Sequence, residues 1–518
     1  MSGALEDAVV ASVARAKAAR RMRFLAWAVA WPELAGEAGL RVLAAAGARD
    51  RVYWERVDRD ELHVAWGSLE ELEVEGPERH AFVRTWQRDL LDRIDRAGAP
   101  RPRARPILVG GFAFGDRASA EPDWKSFPAA RFVLPEGIVD RVGGSGGGVL
   151  LARIEPHASP EAIAAALRVR IARLGETIGA GREAIAAAIG WDAPTRPTAS
   201  DPTCEAVLST DEDEARHPFG EEASSLGPEY RVRADRSHAR FRRQVREALA
   251  EIASGRLAKI VLARSLAVEH DGRFDVPAFL ARLRGLYPTC TLVAVGRGTD
   301  TFLAATPETL VRVEGTRVET VALAGSAARG RTPEEDRSLA EALLGSAKDR
   351  AEHAHVVEAI RAVLGPRCTR LDVARAPRLR PLFGIQHLET PIAGELAPAD
   401  AASDDNDVLA LVAALHPTPA VAGAPTRAAA EWLARHEGLE RGWYAAPIGW
   451  LDAAGGGAFC VALRSALIRN GVGPTGEPGA SRARLFAGAG IVPGSDPELE
   501  LVETRIKLRA LLAPLTEI

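Results

Sequence analysis

The sequence predicts a mixed α/β fold, and three observations point to it. From Ser237 onward, helical and strand-like runs alternate: a helix over 238–253, a strand over 260–268, a helix over 276–286, and strands over 291–295 and 310–314. The first 190 or so residues mix strand-like runs at 61–66 and 148–153 with Ala-rich helical stretches at 160–174 and 181–189. At 518 residues and 47% hydrophobic content the chain can bury an ample core, and no repeat of fixed period runs through it.

Each element has a local reason. Phe24-Leu-Ala-Trp-Ala-Val-Ala-Trp31 is apolar but far too short to span a bilayer. Glu6 and Asp7 precede the basic stretch before it and no clean cleavage site follows, so a helix running into a buried strand is expected rather than a signal peptide. The stretch 193–226, rich in Pro, Thr, Ser, Asp and Glu, is expected as an exposed connector between an N-terminal part, 1–235, and a C-terminal region, 236–518.

In 258–266, Ile260, Leu262 and Leu266 alternate with Lys259, Val261, Ala263 and Ser265, so both faces are largely apolar and the strand should be central. A lysine there loses solvation, which favours the neutral amine of a base; the ordinary alternative is a strand-end lysine reaching water. Glu308 follows Pro307, which fixes the turn and so aims the carboxylate, although glutamate after proline is often just a turn residue. In a helix over 348–364, Val356, Val357, Ile360, Val363 and Leu364 form the buried stripe, and Glu352 borders it one turn earlier. A short apolar helix over 408–415 leads into His416. Farther on, a strand over 461–468 and another over 484–486 should flank an elongated hairpin loop at 470–481, rich in Gly and Pro.

The last helix follows a glycine-rich strand end, Ala487-Gly-Ala-Gly-Ile-Val492, where bare amides and a helix N-terminus suit an anion. Ser495 or Asp496 can cap it, Pro497 suits its first position, and Leu499, Val502, Ile506 and Leu512 have the spacing of a buried stripe. Glu500, Glu503, Thr504 and Lys507 then share the other side, where a solvated face with a Glu503–Lys507 pair is the ordinary reading.

Composition excludes several classes. A net charge of −4 without a long basic run argues against nucleic acid. Cys204, Cys290, Cys368 and Cys460 form no CxxC pair, so neither zinc nor a disulfide framework is expected, and the cytoplasm is the expected compartment, with no membrane partner. An anionic substrate must then be met by local cations.

Seven blocks in order resemble the chorismate-utilising enzymes, and within them the isochorismate synthases. They are Lys259-Ile-Val-Leu-Ala-Arg264, Ala305-Thr-Pro-Glu308, Ala322-Leu-Ala-Gly-Ser326, Lys348-Asp-Arg-Ala-Glu352-His353, His416-Pro-Thr-Pro-Ala420, Arg464-Ser-Ala466, and Gly488-Ala-Gly-Ile-Val492 through Lys507. The N-terminal half matches more loosely, at Val52-Tyr-Trp54, Gly110-Gly-Phe-Ala-Phe114 and Trp124-Lys-Ser-Phe-Pro128. The resemblance implies a chorismate-binding α/β (α+β) fold of two large, antiparallel-rich sheets stacked face to face with helices outside. The active site would lie between the sheet ends, and the N-terminal half would add strands to the same body.

The resemblance also implies roles. Lys259 would activate a water, Glu308 would be the general acid, and Glu352 and Glu500 would hold Mg²⁺ against a substrate carboxylate. Arg464, Lys507, Ser326 and backbone near Gly488 and Gly490 would bind the rest of chorismate, Tyr444 and Leu463 would line the cavity, and His416 would be a second-tier contact. With Glu352 and Glu500 close and no internal cation in obvious register, the empty site should repel itself. Relatives that use ammonia or form salicylate typically carry Pro-x-x-Thr-x-Ser-Gly where this chain has Pro417-Thr-Pro-Ala420-Val-Ala-Gly423, which implies water as nucleophile, isochorismate as product and no glutamine amidotransferase partner. One departure is Ala458 in Gly457-Ala-Phe459, where the family often has glutamate. The long N-terminal half leans toward the menaquinone branch rather than the siderophore branch. Salicylate formation by pyruvate elimination is the alternative within the family, and a non-catalytic chorismate-binding protein the remote one.

Overall fold

The strand Thr291–Arg297 shows how the molecule is layered. Val293 and Val295 enter one buried cluster, while Leu292 and Ala294 enter another, as the period-two geometry of a strand requires. The first cluster lies between two sheets, for it also takes Val311, Ile448 and Phe459 from a second sheet. The second cluster lies under helices, taking Leu167 from Pro160–Gly179, Phe279 from Val276–Leu286 and Leu508 from Pro497–Thr516. This computed structural model describes residues 2–30, 34, 37–98, 105–179, 224–225, 230–398, 406–472 and 478–516.

Among these residues one sheet has 14 strands and the other 10. Every pairing is antiparallel except that of Arg23–Ala30 with Ile94–Gly98. Strands from both ends of the chain share both sheets: Arg51–Arg56 pairs with Thr291–Arg297, and Ile107–Phe112 pairs with Pro447–Asp452. The expected architecture of stacked antiparallel sheets flanked by helices is the observed one.

Two of the places where the chain crosses from one sheet to the other are neighbours. Asp300–Thr306 belongs to the larger sheet and Thr309–Glu314 to the smaller, so Pro307 and Glu308 form one crossing. Gly457–Val461 belongs to the smaller sheet and Ser465–Val472 to the larger, so 462–464 form the other. The single strand expected over 461–468 is therefore broken at Arg464, whose φ of 48° no apolar pattern announces. The hairpin loop expected at 470–481 is shorter, because pairing continues to Val472 and Pro478.

Helices at His238–Ala253, Val276–Leu286 and Val408–Leu415 fall where the sequence places them, and Lys259–His270 is a buried central strand. The C-terminal helix is capped by Asp496, whose Oδ1 accepts from the amides of Glu498 (2.8 Å) and Leu499 (3.1 Å). Its faces, however, are rotated from the expected ones. Leu499 is 66% and Val502 40% exposed, whereas Glu500, Leu501, Thr504 and Leu508 are buried. The expected helix at 181–189, Cys204 and all of the 193–226 connector except Ser224–Ser225 lie outside the described residues, and no helix among the described residues is long and apolar enough to cross a membrane.

One buried ion pair ties the Lys259 strand to its neighbours. Arg441 clasps Glu437 through Nη2–Oε1 (2.6 Å) and Nε–Oε2 (2.7 Å), and donates to the carbonyls of Val421 (2.7 Å) and Val261 (2.8 Å). Glu437 Oε1 also accepts from the Ala263 amide at 2.8 Å. Removing one partner would strand the other charge in the interior. Glu437→Ala is expected to lower unfolding free energy by about 3–5 kcal/mol, read as a shifted midpoint in urea denaturation.

Candidate active site

The two crossings are held side by side. Thr306 Oγ1 donates to the Val461 carbonyl (2.6 Å), the Val461 amide to the Glu308 carbonyl (3.0 Å), and the Ala305 amide to the Arg464 carbonyl (3.1 Å). Glu308 and Arg464 thus line the same narrow cleft, with Ser326, Glu352, Gly488, Gly490 and Lys507 also on its walls. Lys259 stands behind Gly490, its side chain fully buried and its Nζ 2.9 Å from Glu352 Oε1.

Glu308 is the most perturbed acid of the cleft. Burial pushes its carboxyl up to about 8, against the attraction of Lys259, and Oε2 has no hydrogen-bond partner. Oε1 has one distant contact, the Thr418 hydroxyl at 3.5 Å. A carboxyl in this state holds its proton at neutral pH and has an oxygen free to deliver it.

Glycine makes room on the opposite wall. A Cβ at Gly490 would sit 2.2 Å from Glu352 Oε1, and one at Gly488 would sit 2.9 Å from the Tyr444 hydroxyl. The strand Pro478–Ile491 outruns its neighbour Ser465–Val472, whose last partner on this side is Phe486, so the edge of 487–491 is open. Lys507 Nζ donates to the Gly488 carbonyl at 2.8 Å on that edge. Since Gly488 faces Ala263, and Ala263 gives its amide to Glu437, the Gly488 amide also points away from the Lys259 strand. The same holds for Gly490, whose partner Val261 gives its amide to Ala422.

Sequence reasoning missed His387. On the strand Ile385–Leu396 it joins two expected site residues: Nδ1 is 2.9 Å from Ser326 Oγ, and Nε2 is 2.7 Å from Arg464 Nη2. Arginine can only donate, so Nε2 accepts and the proton sits on Nδ1, directed at Ser326. Burial, followed by the charge of Arg464, holds the ring well below the usual histidine range, so it stays neutral. Arg464 Nη1 is left buried and without a partner, and the Ser326 hydroxyl keeps its own proton to donate. A left-handed bulge at Gly325 sets this up by shifting the register between Ala324 and Ser326. The signal in the sequence was a pair of polar doublets, Gln386-His387 and Glu389-Thr390, inside a strand, but the partners of His387 are 61 and 77 residues away.

Two expectations need correction. His416 is not with the others: it is buried behind the cleft wall, Nε2 bonds the Ala445 carbonyl (3.1 Å), and burial depresses its ring to about 3. Nor do Glu352 and Glu500 lack cations. Lys259 pairs with Glu352, and Lys348 pairs with Glu500 at 2.8 Å. The Glu500 carboxyl is indeed raised, but first by burial and then by Glu503, not by Glu352. Thr504 is turned into the interior, where it donates to the Leu501 carbonyl. Tyr444 and Leu463 line the cleft as expected.

Comparison with known proteins decides the family. The model for the chorismate binding enzymes matches residues 11–192 and 195–516. The chain belongs to the chorismate-binding enzyme family. A salicylate biosynthesis isochorismate synthase of Pseudomonas aeruginosa is 37% identical over 90% of this chain and 85% of its own length. The isochorismate synthase MenF of Bacillus subtilis is 37% identical over 52% of this chain and 54% of its own length. Among solved structures, the menaquinone-specific isochorismate synthase MenF of Escherichia coli superposes with a TM-score of 0.67 at 23% identity, over 98% of this chain and 100% of that one, a likeness of fold.

Mg²⁺ takes few protein carboxylates and keeps water and substrate oxygens, and among the described residues no group of three or more His, Cys, Asp or Glu is gathered to hold a metal, so only the carboxylates of Glu352 and Glu500 come into question here. Glu500 is 2% exposed, close enough to Glu503 to be raised by it, and Lys348 feels both Glu500 and Glu352. Such a cluster holds acidic oxygens that a divalent cation stabilises, provided the lysines yield their places. The cleft itself offers about 80 Å³, below the several hundred typical of ligand pockets, so its paired side chains must part to admit substrate. Gly490→Ala is expected to push Glu352 from Lys259 and cut turnover of chorismate by at least about tenfold while the melting temperature stays within about 3 °C. Steady-state kinetics beside a thermal melt checks it.

Proposed function

We propose that the protein is an isochorismate synthase, moving a hydroxyl on chorismate by adding water at one ring carbon and expelling the hydroxyl at another. The observation that carries this reading is a pair of proton-handling groups at one cleft: Glu308 on its wall, held protonated near neutral pH, and Lys259 buried behind Gly490. As the free amine, its extra proton given up when the pairing with Glu352 parts, Lys259 takes the proton of the attacking water, and Glu308 gives its proton to the departing hydroxyl. The free Nη1 of Arg464, the Ser326 hydroxyl, Lys507 and the amides of Gly488 and Gly490 bind the substrate carboxylates. Glu352 and Glu500 would hold Mg²⁺, which when bound neutralises and orients a substrate carboxylate.

Ala420 lines the cleft where lyase-type and ammonia-using relatives typically carry threonine, which supports water as nucleophile without an amidotransferase partner. For the destination of the product, the length of the N-terminal half favours a menaquinone route, and the likeness of one relative along most of the chain favours a salicylate-type one. The relative matching across 90% of the chain is a salicylate biosynthesis enzyme, whereas the Bacillus subtilis MenF match covers 52%. Supply of a salicylate-type route is thus the second reading.

Incubation with chorismate and Mg²⁺ should yield isochorismate without pyruvate; stoichiometric pyruvate would make the protein a salicylate-forming lyase. Lys259→Ala and Glu308→Gln should each lose at least about a thousandfold in kcat while remaining folded. Because Glu308 must be protonated to act, and its carboxyl lies at about 8, kcat should hold through neutrality and fall roughly tenfold per pH unit above that value. A pH profile with no alkaline limb would remove Glu308 from this role.

Metal and substrate should bind cooperatively. Calorimetric titration should find chorismate binding tightened by Mg²⁺ at least about fivefold in the wild type and by nothing in Glu500→Ala. Equal affinities with and without metal in the wild type would displace Mg²⁺ from this site.

A further inference from the structure

Behind the catalytic cleft lies a larger cavity of about 910 Å³. It is bounded by the start of the helix Arg79–Leu91, the segment 113–119, the helix Thr426–His436 and the turn 437–442. Arg79 lines it with 7% of its surface exposed. Its guanidinium has no ion pair among the described residues: Nε has no hydrogen-bond partner, and Nη1 and Nη2 reach only the carbonyls of Gly76 and Ala113, both at 3.5 Å. Asp116 attracts it without contact. Beside it, His80 stacks on Phe112 and leaves Nε2 buried without a partner. A buried guanidinium is retained at a large solvation cost unless something supplies a counter-charge.

The rest of the lining says what that something is. Phe114, Leu433 and Leu439 give apolar walls; with Arg84 held by Asp407, the cations Arg79 and Arg117 face the acids Glu78, Asp116 and Glu440 across the space, which leaves no surplus of positive charge for a dianion. Glu437 is already committed to Arg441. We propose that this cavity is a second binding site for a small monocarboxylate carried on an apolar or aromatic ring, with Arg79 as its counter-charge through a two-pronged hydrogen-bonded contact. The site touches the catalytic cleft through two shared walls. Arg441 lies over the Phe114 ring at 4.4 Å while holding the carbonyls of Val261 and Val421, both cleft residues, and His416 lines the cavity while bonding Ala445 of the cleft. Occupancy of the cavity therefore changes the cleft, and the bound acid shifts the KM for chorismate.

Benzoate is the probe, with neutral benzamide and inorganic phosphate as its comparisons, titrated calorimetrically into the full chain already saturated with chorismate and Mg²⁺. Benzoate should bind one to one in the wild type and at least tenfold more weakly in Arg79→Met, while benzamide and phosphate should not bind measurably. Ala434→Trp, which fills the cavity and leaves Arg79 in place, should weaken benzoate as much, and it decides the matter if Arg79→Met fails to fold. Equal benzoate affinity in the folded variants, displacement of benzoate by chorismate, binding of phosphate in place of benzoate, or no benzoate binding would each overturn the proposal.

Discussion

The site depends on two neighbouring places where the chain leaves one sheet for the other. Because Thr306, Val461, Glu308, Arg464 and Ala305 exchange hydrogen bonds across the crossings, neither segment can move without the other. Side chains at these two crossings have little access to water: Pro307, Glu308, Ala462 and Arg464 are buried and Leu463 is half-buried. Glu308 and Arg464 occupy those positions, and their chemistry follows: a carboxyl that keeps its proton and a guanidinium with one buried nitrogen unspent.

Burying so much charge is tolerable because the charges are arranged in couples. Lys259 with Glu352, Lys348 with Glu500 and Lys507 with Glu503 put three ammoniums against three carboxylates. Three of the carboxylates' neighbours come from different elements: the central strand, the helix Ala347–Leu364 and the C-terminal helix. His353 fixes the second of these, bonding Thr390 (2.7 Å) and the Ala324 carbonyl (3.3 Å) on adjacent strands. Glu352 is therefore placed by its neighbour in sequence rather than by its own contacts.

Local chemistry in the sequence was legible, and long-range placement was not. The central Lys259 strand, the proline before Glu308 and the Asp496 cap each announce themselves within a few residues, and the family blocks added which of them share a site. The C-terminal helix was misread in part: of the expected stripe Leu512 is buried but Leu499 and Val502 are exposed, because Leu501, Leu508, Leu511 and Leu515 also fit the helical period and are the set buried with it. Burying that set draws Glu500 inward, a cost no local rule favours, which Lys348 on another helix and the Ser495 hydroxyl offset. Arg464 was read as part of one strand over 461–468 because a left-handed non-glycine residue leaves no mark in composition. His416 fits its block in the sequence, yet its ring lies behind the cleft wall, bonding the Ala445 carbonyl from the far side.

The paired state of the cleft also explains how a polar ligand can replace it. With three lysines and three glutamates the cluster is balanced, and Arg464 adds one positive charge held by a neutral histidine. A dianionic substrate entering with a divalent cation adds no net charge, so new ion pairs can form as the old ones part without leaving a surplus in the interior. Substrate or metal alone would unbalance it by two charges, in opposite directions. Arg441 and Glu437 hold the Lys259 strand from behind and Lys259 itself is fully buried, so the exchange falls to the partly exposed side chains in front, Glu352, Lys348, Glu503 and Lys507. Rigid strands carrying long charged side chains thus let a cleft too narrow for its ligand open by trading partners.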